Sequence, residues 1–325
     1  MYVITVDDAR ALTWTEVPEP APAEDQVVID VRATAVNRAD LMQRAGDYPP
    51  PPGWPEWMGL EAAGVISHAP SGSRWRIGDR VCALLGGGGY AERVAVPSGM
   101  VLPVPRGLTM EEAAAIPEAF ATSYLNLCIE GGLRAGDTVL IQAGASGVGM
   151  AAIQLVKALG GMVMTTVSTD EKAQFVRGLG ADYVINRTTD DLAAAMEEHP
   201  VDLALDCIAG PDLGRLIERM AVDGCWIVIA TLGGSQTELD VNQFFRRGVR
   251  LIGSTLRSRT PEMKAEILTG LEKTLWEAFE ARRVRPVIHE TLPITEAEAA
   301  HEILQRRENL GKVVLTIPQR NPPRT

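Results

Sequence analysis

The sequence predicts an α/β fold: a β-rich amino-terminal region, a doubly wound parallel sheet, and a carboxy-terminal return to the first region. Three observations carry this. Short alternating runs (Val27 to Val31, Gly64 to Ser67, Arg93 to Val96) separated by Pro and Gly clusters fill residues 1 to about 120. From Ala121 the period changes, and strand-like runs alternate with helical patterns. Within that alternation, Asp137 to Gly160 reads as a buried strand, a glycine-rich turn and a helix.

In the first region, Gly78-Asp79-Arg80-Val81 looks like a turn entering a strand. The Tyr48-Pro49-Pro50-Pro51-Pro52-Gly53 segment is too stiff and too poor in donors for helix or central strand, so a rigid surface loop is expected, packed by Trp54 and Trp57. In the second region, expected strands are Thr138 to Ala143, Met162 to Val167, Tyr183 to Ile185, Val201 to Ile208, Gly224 to Ala230 and Arg250 to Thr255. Helices are expected at Val148 to Leu159, Glu171 to Leu179, Asp191 to Glu198 and Asp212 to Met220. Such alternation implies a parallel sheet covered on both faces. Pro261 to Ala281 reads as a long amphipathic helix, followed by Ile288 to Leu292, a helix from Thr295 to Arg307 and a strand Lys312 to Ile317; the tail Pro318 to Thr325 is expected to be loose. The domains are therefore expected at 1–120 completed by about 282–325, and at 121–281.

The turn Gly144-Ala145-Ser146-Gly147-Val148-Gly149 departs from the G-x-G-x-x-G spacing, because Ser146 takes the middle glycine position and Gly147 follows it. The strand before it and the helix after it are the context in which backbone N–H groups and a helix dipole hold a pyrophosphate.

Composition bounds the rest. The chain has 325 residues, 46% hydrophobic and 22% charged, as expected of about two soluble domains. A net charge of −11 argues against a nucleic-acid or anionic-membrane partner. No apolar run reaches the roughly 18 residues of a membrane span. Met1-Tyr2-Val3-Ile4 leads directly into Asp7 and Asp8 without a basic stretch, so no signal peptide is expected. Cys82, Cys128, Cys207 and Cys225 are scattered, with no C-x-x-C, which points to a reducing cytoplasm.

Several segments together carry a family resemblance: Ala35-Val36-Asn37-Arg38-Ala39-Asp40, Gly46-Asp47-Tyr48-Pro49-Pro50-Pro51, Gly59-Leu60-Glu61-Ala62-Ala63-Gly64, and Ala143 to Gly149. Ile116-Pro117-Glu118-Ala119, Asp206-Cys207-Ile208 and Ser254-Thr255-Leu256-Arg257-Ser258-Arg259 extend it. The chain resembles the quinone oxidoreductase branch of the medium-chain dehydrogenase/reductase superfamily, and its motifs look most like the tumour-suppressor-inducible NAD(P)H quinone oxidoreductase subgroup. The resemblance implies a GroES-like β-rich catalytic domain, a Rossmann domain inserted in it with a cleft between them, and a homodimer joined edge to edge through the Rossmann sheets.

Zinc-dependent relatives hold the metal with cysteine and histidine. Here the matching positions carry Asn37 and Leu60, and neither replaces those ligands. His68, His199, His289 and His301 lie far apart and are expected to be surface or packing residues. No metal is expected.

A dinucleotide site with Asp or Glu after the second strand selects NADH; hydroxyls and basic groups there select NADPH. Ser168, Thr169 and Lys172 follow Val167, although Asp170 and Glu171 intervene. Arg187 follows the third strand and could stack on adenine or pair with a phosphate. NADPH is therefore expected, with NADH weaker. Backbone contacts to the pyrophosphate are expected from Gly144, Ser146, Gly147, Val148 and Gly149. Cys207 and Ile208, Thr231 with Leu232 and Gly233, and Ser254 with Thr255 and Leu256 fall at carboxyl ends of strands and could frame the nicotinamide. The resemblance also brings Asn309 and Lys312 to the cofactor, and Tyr48 and Asn37 to the catalytic end. A phenol at Tyr48 could stack on a quinone or hydrogen-bond its carbonyl.

A quinone accepts hydride without metal polarisation and leaves a weakly basic product anion. The chemistry expected is thus quinone reduction. The alternatives are reduction of an activated alkene by the same hydride step, or a nicotinamide-binding protein with little catalysis.

Overall fold

The computed structural model describes residues 1–319. Most of the tail expected to be loose, 320–325, lies outside the described residues. The chain divides into two compact units, Met1–Ala121 with the segment from Arg257 onward, and Thr122–Leu256.

In chain order the first unit holds strands β1 (Tyr2–Val6), β2 (Leu12–Glu16) and β3 (Gln26–Val36), helix α1 (Arg38–Ala45), and strands β4 (Glu61–His68), β5 (Arg80–Leu84), β6 (Arg93–Pro97) and β7 (Val101–Pro103). Helices α2 (Met110–Ala114) and α3 (Pro117–Tyr124) follow, and α3 runs across the division. β1 and β2 pair as a hairpin; β3, β4, β5 and β7 lie side by side in that order in the larger sheet, with β6 on β3. Its last two strands, β14 (Ile288–Pro293) and β15 (Lys312–Thr316), come from the carboxy-terminal segment. β15 runs antiparallel to β3 with Val313 opposite Val36, and that register places Lys312 beside the end of β3 at Asn37.

The first unit is less purely β than the sequence suggests. α1 starts where Asp40 Oδ2 accepts the Asn37 amide at 2.7 Å, and it stops at Gly46, whose φ of 90° suits only glycine. That signal, Asn37-x-x-Asp40 with a glycine after one further turn and a half, is legible but short.

The second unit holds β8 (Thr138–Ile141), α4 (Gly147–Ala158), β9 (Met162–Val167), α5 (Asp170–Gly178), β10 (Tyr183–Asn186), α6 (Leu192–Glu198), β11 (Val201–Asp206), α7 (Leu213–Ile217), β12 (Met220–Val228), α8 (Val241–Arg247) and β13 (Arg250–Gly253). All six strands are parallel, in the order β10-β9-β8-β11-β12-β13. The chain reverses direction across the sheet between β8 and β11, the position beyond whose carboxyl ends ligands bind in such folds. Leu140, Met164, Ala204 and Trp226 fill one core of this unit. α4 is apolar almost all round because every residue from Gly149 to Val156 is buried.

Two expectations change. The helix expected over 212–220 is only Leu213–Ile217, since Met220 already pairs with Val201 and opens β12. The return to the first unit comes at Arg257, not at about 282. The reason lies in α9 (Pro261–Glu280): Phe279 is fully buried and meets Phe120 edge-on at 4.9 Å, and Trp276 Nε1 donates to the Pro103 carbonyl at 3.2 Å. The last helix, α10 (Ala297–Arg306), falls within the region expected.

Candidate functional site

In the second unit, the turn after β8 is shaped by close packing. Ala143 takes φ 56°, a left-handed conformation that costs about 1 kcal/mol for a residue with a Cβ. A Cβ on Gly144 would collide with the Thr165 hydroxyl, and one on Gly149 would lie 2.5 Å from the Ala143 carbonyl oxygen. These two glycines are therefore required by the strand–turn–helix itself. Ser146 caps α4, its hydroxyl accepting the Gly149 amide at 3.0 Å. Gly147 and Val148 then present first-turn amides with no intrahelical acceptor, the groups that an anion at a helix start meets.

Ser168 and Arg187 come next to one another at the same sheet edge, because Val167 pairs with Asn186 in parallel register and the Arg187 amide donates to Val167 O at 3.0 Å. Thr169 caps α5 by accepting the Lys172 amide. Asp170, whose carboxylate stood as a caution against NADPH, accepts Asn186 Nδ2 at 3.3 Å. Arg187 is exposed and Ser168 half-buried.

Beyond β11 the buried Asp206 organises the turn. Its Oδ1 accepts the Ile208 and Ala209 amides at 2.7 and 3.0 Å, and its Oδ2 accepts Trp226 Nε1 at 2.9 Å. Burial raises its pKa against those three donors. Ala209 has φ 51° and bridges Gly234; the Leu232 and Gly233 amides donate to the Cys207 and Ile208 carbonyls. The Ser254 amide donates to Val228 O, and its buried hydroxyl has no partner among the described residues. Cys207, Ile208, Thr231, Leu232, Gly233, Ser254, Thr255 and Leu256 thus all follow β11, β12 or β13 on one edge, the edge that also carries Gly144 to Gly149.

The first unit holds a buried polar cluster of a different kind. Lys312 Nζ lies 2.7 Å from Glu61 Oε1 and 2.7 Å from Asn37 Oδ1. Asn37 Nδ2 donates to the same Glu61 Oε1 at 2.9 Å, and Glu61 Oε2 accepts the Glu118 amide at 2.9 Å. Lys312 and Glu61 are 3% and 0% exposed, so the pair is desolvated and is held by its mutual charge and by the hydrogen bonds to Asn37 and the Glu118 amide. Lys312 and Asn37 are brought together, the ammonium of Lys312 meeting both Glu61 and Asn37. Asn309 turns its amide to Gly311 O at 2.8 Å.

Sequence reasoning missed the neighbours of this cluster. Burial pushes the Glu118 pKa up to about 8, with the Glu61 carboxylate adding to it. Burial likewise raises Asp40 to about 6, against hydrogen bonds from the Asn37 and Gly59 amides. Tyr90 OH bridges Asp40 Oδ2 and His301 Nε2, each at 3.2 Å. Burial, and secondarily the Arg44 charge, lower His301 to about 4. His301 is therefore a neutral core residue; of the others, His199 stacks on Tyr183 at 3.9 Å, while His68 and His289 are exposed strand residues. Glu61 and Glu118 lay inside quoted motifs, and their apolar surroundings, Ala62-Ala63-Gly64 and Ala119-Phe120, were the available sign of burial.

Tyr48 is half-buried. Arg257, 4% exposed, places its guanidinium 4.7 Å from the Tyr48 ring centre and donates Nη1 to the Tyr48 carbonyl at 2.8 Å. Desolvation and then Glu118 raise the phenol's pKa, and Arg257 opposes them.

Comparison with known proteins agrees with both units. A family model described as the alcohol dehydrogenase GroES-like domain matches residues 23–106, and one described as zinc-binding dehydrogenase matches residues 147–272. The quinone oxidoreductase of Sus scrofa is 29% identical over 310 residues, covering 93% of this chain and 92% of that one. The squalestatin tetraketide synthase of a Phoma species is 30% identical over 332 residues; this chain spans only 12% of its length. Among solved structures, the quinone oxidoreductase of Thermus thermophilus, described with its NADPH complex, is 32% identical with a TM-score of 0.81, covering 97% of this chain and 100% of that one.

Zinc, which one matched description names, does not fit the donors present. Leu60 offers no lone pair, the Asn37 amide is occupied at both ends, and the Glu61 carboxylate is closed by an ammonium. Among the described residues no three of His, Cys, Asp or Glu stand together to hold a metal.

Two measurements check this arrangement. Lys312→Met strands the Glu61 charge in the interior and is expected to cost about 3–5 kcal/mol in denaturant unfolding, with much of it recovered by Lys312→Met/Glu61→Leu. A loss below about 1 kcal/mol would contradict the pairing. The second is a pH dependence. Between pH 6.5 and 8 the folded chain holds a proton on Glu118 that the unfolded chain has lost, so stability falls as pH rises. Asp40 acts in the same sense below about 6, and His301, depressed to about 4, in the opposite sense below 6.5. Glu118→Gln is expected to remove a fall of about 1–2 kcal/mol over that upper window, read as the shift in unfolding midpoint at each pH.

Proposed function

Since this chain belongs to the medium-chain dehydrogenase/reductase superfamily, we propose that it is an NADPH-dependent quinone oxidoreductase that works without metal. The observation that carries the reading is the ammonium of Lys312 closed on Glu61 and Asn37, where zinc-dependent relatives gather metal ligands. With that cation built into the fold, a carbonyl substrate has no Lewis acid to polarise it. A quinone needs none, because its reduced anion is delocalised over an aromatic ring.

NADPH, when bound, supplies a hydride from its nicotinamide. The Gly147 and Val148 amides at the start of α4 take the pyrophosphate. Ser168, Lys172 and Arg187 take the 2′-phosphate; a guanidinium and an ammonium beside a hydroxyl match three phosphate oxygens. The turns at Cys207–Ile208, Thr231–Gly233 and Ser254–Leu256 hold the nicotinamide ring by backbone approach, Asp206 keeping the first of them rigid. Tyr48 stacks on the acceptor or donates its phenol proton to the acceptor's oxygen. The same hydride step suits an activated alkene, and that is the competing reading.

Steady-state turnover of 1,2-naphthoquinone and of an enone, each with NADPH and NADH, tests the assignment. Quinone turnover with NADPH is expected to exceed the other three combinations by about tenfold or more, and Lys172→Ala to erase most of the NADPH preference. Faster enone turnover would replace the substrate, and an unchanged preference in Lys172→Ala would remove that residue from the phosphate site.

A homodimer belongs to the same proposal. β13 ends the parallel sheet and, among the described residues, pairs on one side only, with β12. Leu251 on it is 43% exposed, and Phe245 on α8 is 64% exposed. A second copy meeting β13 edge to edge about a twofold axis would continue the sheet and cover these groups. Sedimentation velocity is expected to give a dimer that Leu251→Lys converts to monomer; a monomeric parent chain would refute it.

A further inference from the structure

We propose that Arg257 is a positioning residue for the acceptor: it fixes the Tyr48 loop so that the phenol ring stands in one orientation. The inference rests on the role given to Tyr48 above, and it adds a residue whose function nothing in the resemblance assigned.

The loop from Gly46 to Trp57 has no regular secondary structure. Prolines at 49, 50, 51, 52 and 55 remove backbone donors, so the loop cannot hold itself by a ladder. A few backbone bonds hold its ends, Asp47 N to Met42 O and Gly88 N to Trp57 O, and between them side chains fix it, with Arg257 at the centre. Nη1 donates to the Tyr48 carbonyl at 2.8 Å, Nη2 to Gln43 Oε1 on α1 at 2.6 Å, and Nε to the Gly86 carbonyl at 3.0 Å. One planar fork thus joins α1, the proline loop and the glycine segment after β5. The same plane lies over the Tyr48 ring, an arrangement a lysine cannot reproduce.

The neighbours support the clamp. Lys264 Nζ donates to the Arg257 carbonyl at 3.0 Å and lies 5.8 Å from the Trp54 ring centre. Trp54 packs on Gly86 so closely that a Cβ there would stand 2.6 Å from the indole nitrogen. Gln43 Nε2 donates to Glu56 O and Trp57 Nε1 to Gly88 O, tying down the loop's far end. Arg257 is buried and meets no carboxylate in these contacts. Its direct partners are three neutral acceptors and one ring, while the charges of Asp40 and Glu118, outside hydrogen-bond contact, oppose the desolvation that lowers its pKa.

The experiment has two arms. In the first, 3-fluorotyrosine is incorporated and the Tyr48 line is assigned by its loss in Tyr48→Phe. A single sharp 19F line is expected in the parent chain, shifted and broadened in Arg257→Met and in Arg257→Lys. In the second, kinetics with NADPH and 1,2-naphthoquinone are expected to show kcat/KM for the quinone falling by about tenfold to a hundredfold in Arg257→Met, with only partial rescue by Arg257→Lys. NADPH affinity by direct titration stays within about twofold, and Tyr48→Ala adds little further loss in the double variant. If Arg257→Met does not fold, Gln43→Ala removes one arm of the fork and is expected to change both readouts in the same direction. An unchanged fluorine line, or losses that add fully in the double variant, overturns the proposal. A line that moves in a chain that turns over no quinone would leave the clamp standing and refute the functional reading instead.

Discussion

The buried ion pair between Lys312 and Glu61 is the constraint on which the first unit depends. It joins β15, which arrives from the far end of the chain, to β3 and β4 through Asn37 and the Glu61 carboxylate. Its second carboxylate oxygen seats the first turn of α3 by accepting the Glu118 amide. One ammonium therefore ties the carboxy-terminal segment, the central sheet and the helix leading to the second unit. Desolvation makes the arrangement all or none, because neither charge tolerates the loss of the other.

The second unit follows a separate logic, that of a parallel sheet whose strands deliver short turns to one edge. Ala143 and Ala209 hold left-handed conformations there, and Asp206 spends its carboxylate on the turn amides. Both alanines and the Asp206 carboxylate stand on the edge to which β8 and β11 deliver their turns. The two units thus reach polar order by different means, a closed ion pair in one and aligned backbone amides in the other.

Much of this was legible in the residues. The strands and helices of the second unit show in the sequence because period and punctuation agree: an apolar run, a glycine or serine turn, then helical spacing closed by glycine. The glycine segment 144–149 follows β8 and the hydroxyl–lysine run 168–172 follows β9, the strand positions the period indicates. The first unit was harder to read, since α1 is only Arg38–Ala45 and its cap signal is the single pair Asn37 and Asp40. The role of Lys312 was missed for a plain reason: ion pairing over 251 residues of separation leaves no local pattern. Arg257 and Glu118 lay in motifs quoted for resemblance, but the surroundings that desolvate them depend on tertiary neighbours that periodicity does not name. The domain return at Arg257 was misplaced because an amphipathic helix announces its apolar face and says nothing of which core receives it.

Elemental analysis of freshly purified chain, taken alongside its NADPH oxidation rate with a quinone, decides whether the chemistry is metal-free. Full turnover is expected with zinc far below one equivalent per chain, unaffected by a chelator. Stoichiometric zinc that leaves together with activity on chelation would contradict it.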